Sequence, residues 1–456
     1  MKQKKLFEEF PATSTGEWLD RIRAELKGAD LNEKLLWKTG EGFDLMPFYR
    51  REDMEKLRYT DAFMPLYLGK DGLKCRNSKE DPGQLGKSKG DKAASWLVRQ
   101  DVLVQSYASA NEQALSLLER GVDSLGFLIG DPDTISNENF AMLLRDFNPS
   151  CAEINFSSEG KAIEIVSLVS DLLADKEPGR KSVRGAVEAD PLVRLMIQGK
   201  LCIPVDAGLD YLAALVRKAM DLPYYRSIHI HGTYFRKAGS GPVLELALAI
   251  AMAVEYIDQL TSRGIDPGTA ASAIRFSFGI GPSYFMEIGR LRAARLLWEV
   301  VCRKFGVTDD FPARMEIHSE TVLNAAAGDP FLNMIGSQAA AMSAIIGGTD
   351  SLTVHPVEYR NGMTGDFPER IARNQQLLLK EEAFFDRVAD PSAGSYYIET
   401  ITSHIAENAW NIFLQIEKKG GFLQALNSGM IHTLLHDRKD HGEKAGDRKG
   451  ENYKLS

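Results

Sequence analysis

Cysteine is scarce in this sequence of 456 residues. There are four cysteines, Cys75, Cys151, Cys202 and Cys302, and no two of them have the C-x-x-C spacing of a zinc or redox site. Isolated cysteines are typical of proteins kept in a reducing compartment, whereas a disulfide framework needs several cysteines at close and regular spacings. We therefore predict free thiols and a cytoplasmic protein.

Long apolar runs and an excess of positive charge are also missing. No run approaches the roughly 20 apolar residues of a membrane span, and the charged N-terminus leads into L-F-E-E-F-P without the apolar segment of a secretion signal. The net charge of −8 opposes binding to nucleic acids and anionic membranes, since both attract basic surfaces. We expect a soluble protein with neither kind of partner.

A regular alternation of short β-branched or aromatic runs with helical stretches fills the middle of the chain. Such alternation predicts a parallel sheet covered by helices, and eight units are the number that closes a (β/α)₈ TIM barrel. A doubly wound open sheet is the alternative, but no G-x-G-x-x-G follows the first run. The eight runs begin at Trp96, Ser124, Ala152, Ser182, Ser227, Ile274, Met315 and Ser351.

Composition divides the chain into three parts, so the predicted architecture is an α/β barrel with an extended N-terminal arm. Residues 1–92 form the arm, which has a helix near Thr15–Leu26 capped by Ser14 or Thr15 and a mobile loop over Cys75–Lys92. Residues 93–425 form the barrel, and 426–456 form a polar tail. We expect the arm to bury its aromatic residues on a partner protein. These residues are Trp18, Phe43, Phe48 and Tyr49.

The stretch Ser277–Trp298 joins the sixth strand to a long helix through a glycine-rich corner, which is where α/β enzymes often place their chemistry. The helix carries Arg290, Arg292 and Arg295 on one flank, which we interpret as a solvated or interface face. After the eighth strand we expect two more helices, with D-P-S-A-G-S-Y-Y-I-E between them as a turn and a short strand. The second helix should begin at the I-T-S-H segment and end at a double glycine.

Function in such barrels lies at the C-terminal ends of the strands. His229 and His231 share one face of a strand, but a metal site needs three or four converging ligands, typically with a carboxylate, so no metal site is predicted. The strands carry no lysine for a Schiff base, and nucleophile elbows and P-loops are missing. Polar residues at the strand ends are Arg99, Gln100, His229, His231, His318, Glu320, Asp350 and His355.

Ordered motifs between Trp96 and Gly421 resemble the substrate-binding barrel of the methylmalonyl-CoA mutase family. They include F-M-E-I-G-R-L-R-A-A-R-L-L-W, H-S-E-T, A-M-S-A-I-I-G-G-T-D-S-L, E-R-I-A-R-N-Q-Q-L-L-L-K-E-E and D-P-S-A-G-S-Y-Y-I-E. The resemblance implies a barrel through whose axis acyl-CoA threads. It also implies a separate C-terminal domain, whose adenosylcobalamin caps the mouth and starts a radical rearrangement.

The sequence departs from the catalytic pattern of that family at several positions. Tyr234 replaces the histidine that hydrogen-bonds the thioester carbonyl, and K-S-K-G-D-K-A-A-S stands where an essential tyrosine is expected. Glu316, Glu320 and Asp350 replace arginine or glutamine, and we expect these acids to repel an anionic CoA ester. The resulting degenerate pocket comprises Tyr234, His231, His318, Glu316, Glu320 and Asp350.

The departures favour a non-catalytic small subunit of a heterodimeric mutase, an isomerase whose large subunit is the partner and holds the adenosylcobalamin. No cofactor is expected on this chain, because it has no D-x-H-x-x-G motif to coordinate cobalt, and it is either naturally short or a fragment. One alternative is a catalytic barrel of the isobutyryl-CoA type, whose cobalamin domain is a separate chain. Others are an unrelated barrel enzyme and a binding protein.

Overall fold

The computed structural model describes most of the chain. The described residues are 13–55, 57, 95–148, 151–173, 182–307, 314–322, 330–356 and 366–437. The predicted loop Cys75–Lys92 lies outside them. Among the described helices, none combines the length and the apolar character that crossing a membrane requires.

Nine parallel strands form one sheet that closes on itself. Seven of them correspond to seven of the predicted runs, and the predicted fifth run, which begins at Ser227, corresponds to Ile228–His231 (β8). The strand Tyr224–Arg226 (β7), directly before Ser227, was not predicted. β7 pairs with β6, while β8 pairs with β9, so the two segments together join the sheet edges. The predicted eight-unit barrel is confirmed. The strands are Leu97–Leu103 (β3), Ser124–Leu128 (β4), Glu153–Ser157 (β5), Arg184–Val187 (β6), Tyr224–Arg226 (β7), Ile228–His231 (β8), Ile274–Ile280 (β9), Ile317–Thr321 (β10) and Ser351–Thr353 (β11).

Helices follow the strands and cover the outside of the barrel. Those of the barrel and its C-terminal extension are Tyr107–Glu119 (α4), Asn137–Leu143 (α5), Ala162–Leu173 (α6), Pro191–Gln198 (α7), Val205–Ala219 (α8), Gly232–Lys237 (α9), Pro242–Ser262 (α10), Pro267–Ser272 (α11), Tyr284–Lys304 (α12), Pro330–Ile346 (α13), Asp366–Leu377 (α14), Tyr396–Lys418 (α15) and Phe422–Asn427 (α16). The N-terminal arm contains Thr15–Glu25 (α1), Leu31–Leu35 (α2), Trp37–Lys38 (β1), Asp44–Leu45 (β2) and Arg51–Met54 (α3).

The alternating side chains of each strand separate two environments. In β9, Phe276 and Phe278 point toward the helices, and Phe276 packs edge-on against Trp298 of α12 with 5.0 Å between ring centroids. Arg275 and Ser277 have the opposite direction and point into the barrel. The apolar core therefore lies between the sheet and its helices, while the barrel interior receives the polar residues.

The arginine flank of α12 is buried inside this chain, so the prediction of a solvated or interface face is wrong. Arg290 and Arg292 are fully buried and Arg295 is almost so. The flank is covered because α12 packs between α10, α13 and α15. Carboxylates from distant segments compensate the charges: Glu245 for Arg290, Asp390 and Glu399 for Arg292, and Asp350 for Arg295.

The last long helix, α15, begins earlier than expected. Ser395 is its N-cap and accepts a hydrogen bond from the backbone N–H of Ile398, so Y-Y-I-E is the first helical turn and not a strand. Y-Y-I-E was predicted as a short strand because tyrosine and isoleucine also favour strands. The helix ends before Gly420 and Gly421, both with positive φ, as the sequence predicts.

The arm packs partly on its own barrel. Phe43 stacks on His404 of α15 at 5.1 Å, Tyr49 contacts Tyr397 at 5.5 Å, and Leu45 is fully buried. The expectation that these aromatic rings need a partner surface is therefore wrong for Phe43 and Tyr49.

The first helix of the arm, α1, is exposed, in contrast to the arm residues that pack on α15. The capping box formed by Ser14 and Glu17 confirms the predicted helix start. No residue of α1 is buried, and Trp18 is 48% exposed.

Packing continues past the predicted start of the polar tail. Ile431 and Leu435 are both buried. The predicted start of the polar tail at residue 426 is therefore too early. The short polar segment after α16 suggested a tail, although apolar residues follow it.

The buried charges of α12 give a direct test of the fold. Arg292→Met leaves Asp390 and Glu399 buried without their cation, so we expect a loss of about 3–5 kcal/mol in the free energy of unfolding. Arg21→Met on α1 breaks an exposed pair with Glu25 and is expected to cost at most about 1 kcal/mol. Urea denaturation measures both, and equal effects would contradict the buried-pair account.

Candidate functional site

Charged side chains cross the interior of the barrel, where branched apolar residues usually fill TIM barrels. Arg275 of β9 reaches β5 on the opposite wall, with Nη1 2.6 Å from Oδ1 of Asn155 and Nη2 3.0 Å from Oε1 of Glu153. Its Nε donates to Glu316 at 2.5 Å. Since four strands, β4, β3, β11 and β10, separate β5 from β9 in the sheet order, the Arg275 side chain crosses the barrel axis.

Glu316 lies at the N-terminal end of β10 between two arginines. Arg226 donates to its Oε2 at 2.7 Å, and Arg275 binds the other oxygen. Burial alone would raise the pKa of Glu316, but the two guanidinium groups outweigh burial and lower it to about 2. The expected repulsion of an anionic ester by Glu316 is thus wrong, because its charge is compensated inside the protein.

A second arginine crosses the interior nearer the mouth. Arg99 of β3 donates to Asp101 at 2.8 Å and to Glu188, just after β6, at 2.8 Å. Gly126 of β4 makes room for this pair, since a Cβ there would lie 2.8 Å from Nη2 of Arg99 and closer still to Asp101. Gln100 points the other way and bonds Glu369 of α14 at 3.0 Å, so it does not belong to the mouth as predicted.

Asp350 also lies away from the mouth. It precedes β11 at the N-terminal end of the barrel, where its Oδ2 accepts from Arg295 at 2.9 Å and from the backbone N–H of Ile317 at 2.9 Å. Its assignment to a pocket at the C-terminal strand ends is wrong. A residue just before a short strand cannot reach the opposite rim.

Tyr234 and Lys237 line the mouth from α9. Tyr234 is 43% exposed, its ring lies 5.5 Å from the ring of His231, and Nζ of Lys237 lies 5.9 Å from its centroid. Burial, with nearby Glu320 and Glu188, raises the pKa of Tyr234. The phenol therefore remains protonated at neutral pH.

Glu320 forms the other rim of the mouth. Its Oε2 lies 3.1 Å from Nε2 of His355 and 4.0 Å from Nζ of Lys237, and Thr233 donates to Oε1 at 3.4 Å. Burial would raise the pKa of Glu320, but the hydrogen bond from His355 and the nearby cationic groups hold it well below the usual range. This acid is present at the mouth, yet it already has cationic partners.

His318 is a buried, neutral histidine below the rim. Its Nδ1 lies 2.9 Å from the hydroxyl of Ser351, and Nε2 lies 3.5 Å from that of Thr353. Burial and the nearby Arg99 charge lower the pKa of His318 to about 3. The ring therefore carries no charge at neutral pH.

The two histidines of β8 meet a carboxylate that the sequence analysis missed. Ligand atoms of Glu188, His229 and His231 all lie within 4.8 Å of one another. The imidazole rings stack at 4.2 Å with 6° between their planes, and Nδ1 of His229 lies 3.5 Å from Oε1 of Glu188. The signal was the V-E-A-D segment directly after the fourth strand, which the strand-end rule also selects.

The glycine-rich corner after β9 is an ion-pair anchor. Glu245 accepts from the backbone N–H of Gly279 at 2.8 Å and from Arg290 at 2.6 Å, while Glu287 accepts from Gly281 at 3.0 Å and from Arg236 at 2.5 Å. A Cβ at Gly281 would lie 2.4 Å from the Arg236 guanidinium, so a larger residue would push that guanidinium away from its present position. Burial raises the pKa of Glu245 to about 7 despite Arg290 and Arg236. The corner fixes the mouth and supplies no reacting group to it.

Comparison with known proteins identifies the family. The family model described as methylmalonyl-CoA mutase matches residues 133–452. The chain belongs to the methylmalonyl-CoA mutase family. This finding confirms the resemblance drawn from the sequence motifs and fits the observed barrel.

Individual relatives carry subunit names. The chain is 39% identical to the methylmalonyl-CoA mutase small subunit of Porphyromonas gingivalis over 95% of this chain and 68% of that protein. It is 30% identical to the small subunit of Propionibacterium freudenreichii subsp. shermanii, covering 94% and 65%. The P. gingivalis large subunit is 25% identical, covering 88% and 58%. The chain thus spans about 58–68% of the length of these mutase subunits.

The pKa of Glu316 predicts how stability depends on pH. Because the folded pKa of about 2 lies below the ordinary 4.5, the ionised carboxylate stabilises the fold above about pH 4.5, and this contribution is lost as pH falls toward 2. Glu316→Gln should lower the free energy of unfolding by at least about 2 kcal/mol at neutral pH. The difference from wild type should shrink below about pH 4.5.

Urea denaturation across this pH range measures the difference. Glu159→Gln is the control, because its carboxylate is mostly exposed in a pair with Arg194 and should change stability by no more than about 0.5 kcal/mol. A difference between Glu316→Gln and wild type that grows as the pH falls would contradict the assignment.

Proposed function

We propose that this chain is a small-subunit barrel of a heterodimeric methylmalonyl-CoA mutase, which pairs with a catalytic large subunit and does not itself carry out the rearrangement. The holoenzyme would interconvert methylmalonyl-CoA and succinyl-CoA in propionate metabolism. The observation that carries the proposal is the filled barrel axis. In the mutase family the acyl-CoA threads through this axis, and here Arg275 and Arg99 cross it.

The crossing side chains are held firmly. Arg275 is almost completely buried and bonds Asn155 and Glu153 across the barrel. Displacing it for a pantetheine chain would break these bonds, leave the buried Glu153 without its cation and leave Glu316 with Arg226 alone. Breaking a buried ion pair in this way costs about 3–5 kcal/mol. A threaded ligand would have to offset that cost.

The mouth supports the same conclusion. The family position that hydrogen-bonds the thioester carbonyl is Tyr234, whose half-exposed ring packs against His231. Glu320 at the opposite rim is engaged by His355. Neither side chain supplies the imidazole of a catalytic member.

The names of the relatives support a partner subunit. Large and small subunits are both named in P. gingivalis, and the exposed α1 with Trp18 offers apolar surface to a second chain. We propose that adenosylcobalamin binds to that partner, as the resemblance to the mutase family implies. The free thiols of Cys151, Cys202 and Cys302 suit the reducing cytoplasm.

The test is turnover of methylmalonyl-CoA with adenosylcobalamin by three samples: this chain alone, the large subunit alone and the mixture. We expect the chain to co-elute with the large subunit in size-exclusion chromatography and turnover to require the large subunit. Turnover by this chain alone at about 1 per second or faster would contradict the proposal. So would turnover when only a separate cobalamin-binding chain is added, which would support the isobutyryl-CoA type of mutase.

A further inference from the structure

The ring nitrogens of His229, at the barrel mouth, are buried and form no hydrogen bond with the described residues. The residue is 1% exposed. A buried polar group left unpaired costs about 1–3 kcal/mol. Such groups in native proteins call for an explanation, of which a bound ion is one.

Two further ligand groups converge on His229. His231 follows two positions later on β8 and therefore points the same way. The two rings stack at 4.2 Å, and since each imidazole coordinates through a lone pair in its ring plane, one ring has to rotate out of the stack for both to bind a single ion. Glu188 reaches the pair from the end of β6, so that the ligand atoms of all three residues lie within 4.8 Å of one another. Two imidazoles and one carboxylate are a ligand set found in zinc sites.

Metal binding requires an ionised carboxylate. The Arg99 guanidinium beside Glu188 favours the ionised form of this acid.

Outer contacts fix the three groups. Arg99 holds Oε1 of Glu188 at 2.8 Å. Asp190 accepts the backbone N–H of His231 at 2.9 Å and the hydroxyl of Tyr256 at 2.6 Å, which secures the end of β8. Partners of this kind orient ligands and strengthen metal binding.

We propose that Glu188, His229 and His231 form a binding site for a divalent transition-metal ion of the zinc class. The partly buried His231 lies beside the half-exposed Tyr234, so the ion would enter from the mouth. Three protein ligands leave a fourth position for water or a small anion. The site does not depend on whether the chain is catalytic or pairs with a large subunit.

Calorimetry with Zn²⁺ on the chelator-treated full chain tests the site, and Co²⁺ serves as a spectroscopic probe. We expect one ion per chain, visible absorption typical of four-coordinate Co²⁺, and a higher Tm with Zn²⁺. His231→Gln and Glu188→Gln should each weaken Zn²⁺ binding by at least about tenfold. His355→Gln is the matched control, since this mouth histidine lies outside the cluster, and should change the affinity by less than about twofold.

His231→Gln is expected to fold, because His231 is less buried than His229. The circular dichroism spectrum of the variant, compared with that of wild type, checks this. The proposal is overturned if the folded wild-type chain takes up neither Zn²⁺ nor Co²⁺ at about 100 µM. It is also overturned if His355→Gln weakens binding as much as His231→Gln does, because the ion then binds surface histidines.

Discussion

Compensation of buried arginine charge is the constraint on which this structure depends. An unpaired charge in the interior costs several kcal/mol, so each guanidinium needs carboxylates at fixed positions. Inside the barrel, Arg275 joins β9 to β5 and Arg99 joins β3 to the end of β6. These bonds link strands that are not neighbours in the sheet. They therefore brace the barrel across its axis, and in doing so they occupy the path that an extended ligand would follow.

The same rule operates between the barrel and its C-terminal extension. Arg292 of α12 binds Glu399 of α15 and Asp390 before it, which ties the extension to the sixth βα unit. Arg290 joins Glu245 of α10 to the carbonyl of Gly279 at the end of β9. The corner that leads to the mouth is thereby held rigid. The groups that could act at the mouth are therefore side chains outside these ion pairs, chiefly Tyr234, Glu320, His229 and His231.

The sequence predicts the barrel well because strand and helix periodicity are local properties. Apolar alternation in β9 and the Ser14 cap of α1 need no knowledge of distant residues. Local periodicity does not show which residues far apart in the sequence form ion pairs. The partner of Arg292, Glu399, lies 107 residues away, so the arginine flank suggested exposure. Glu188 was missed likewise, since its meeting with His229 depends on closure of the sheet between β6 and β8.

The central claim is that the barrel axis is filled and does not admit an acyl-CoA. Isothermal titration calorimetry of methylmalonyl-CoA and succinyl-CoA against the isolated chain tests it most directly, with a large mutase subunit as the positive control. The account predicts binding by the large subunit and none by this chain at ester concentrations of about 100 µM. Saturable binding to this chain with a Kd of about 10 µM or tighter would contradict it, because the Arg275 and Arg99 bridges would then have to open.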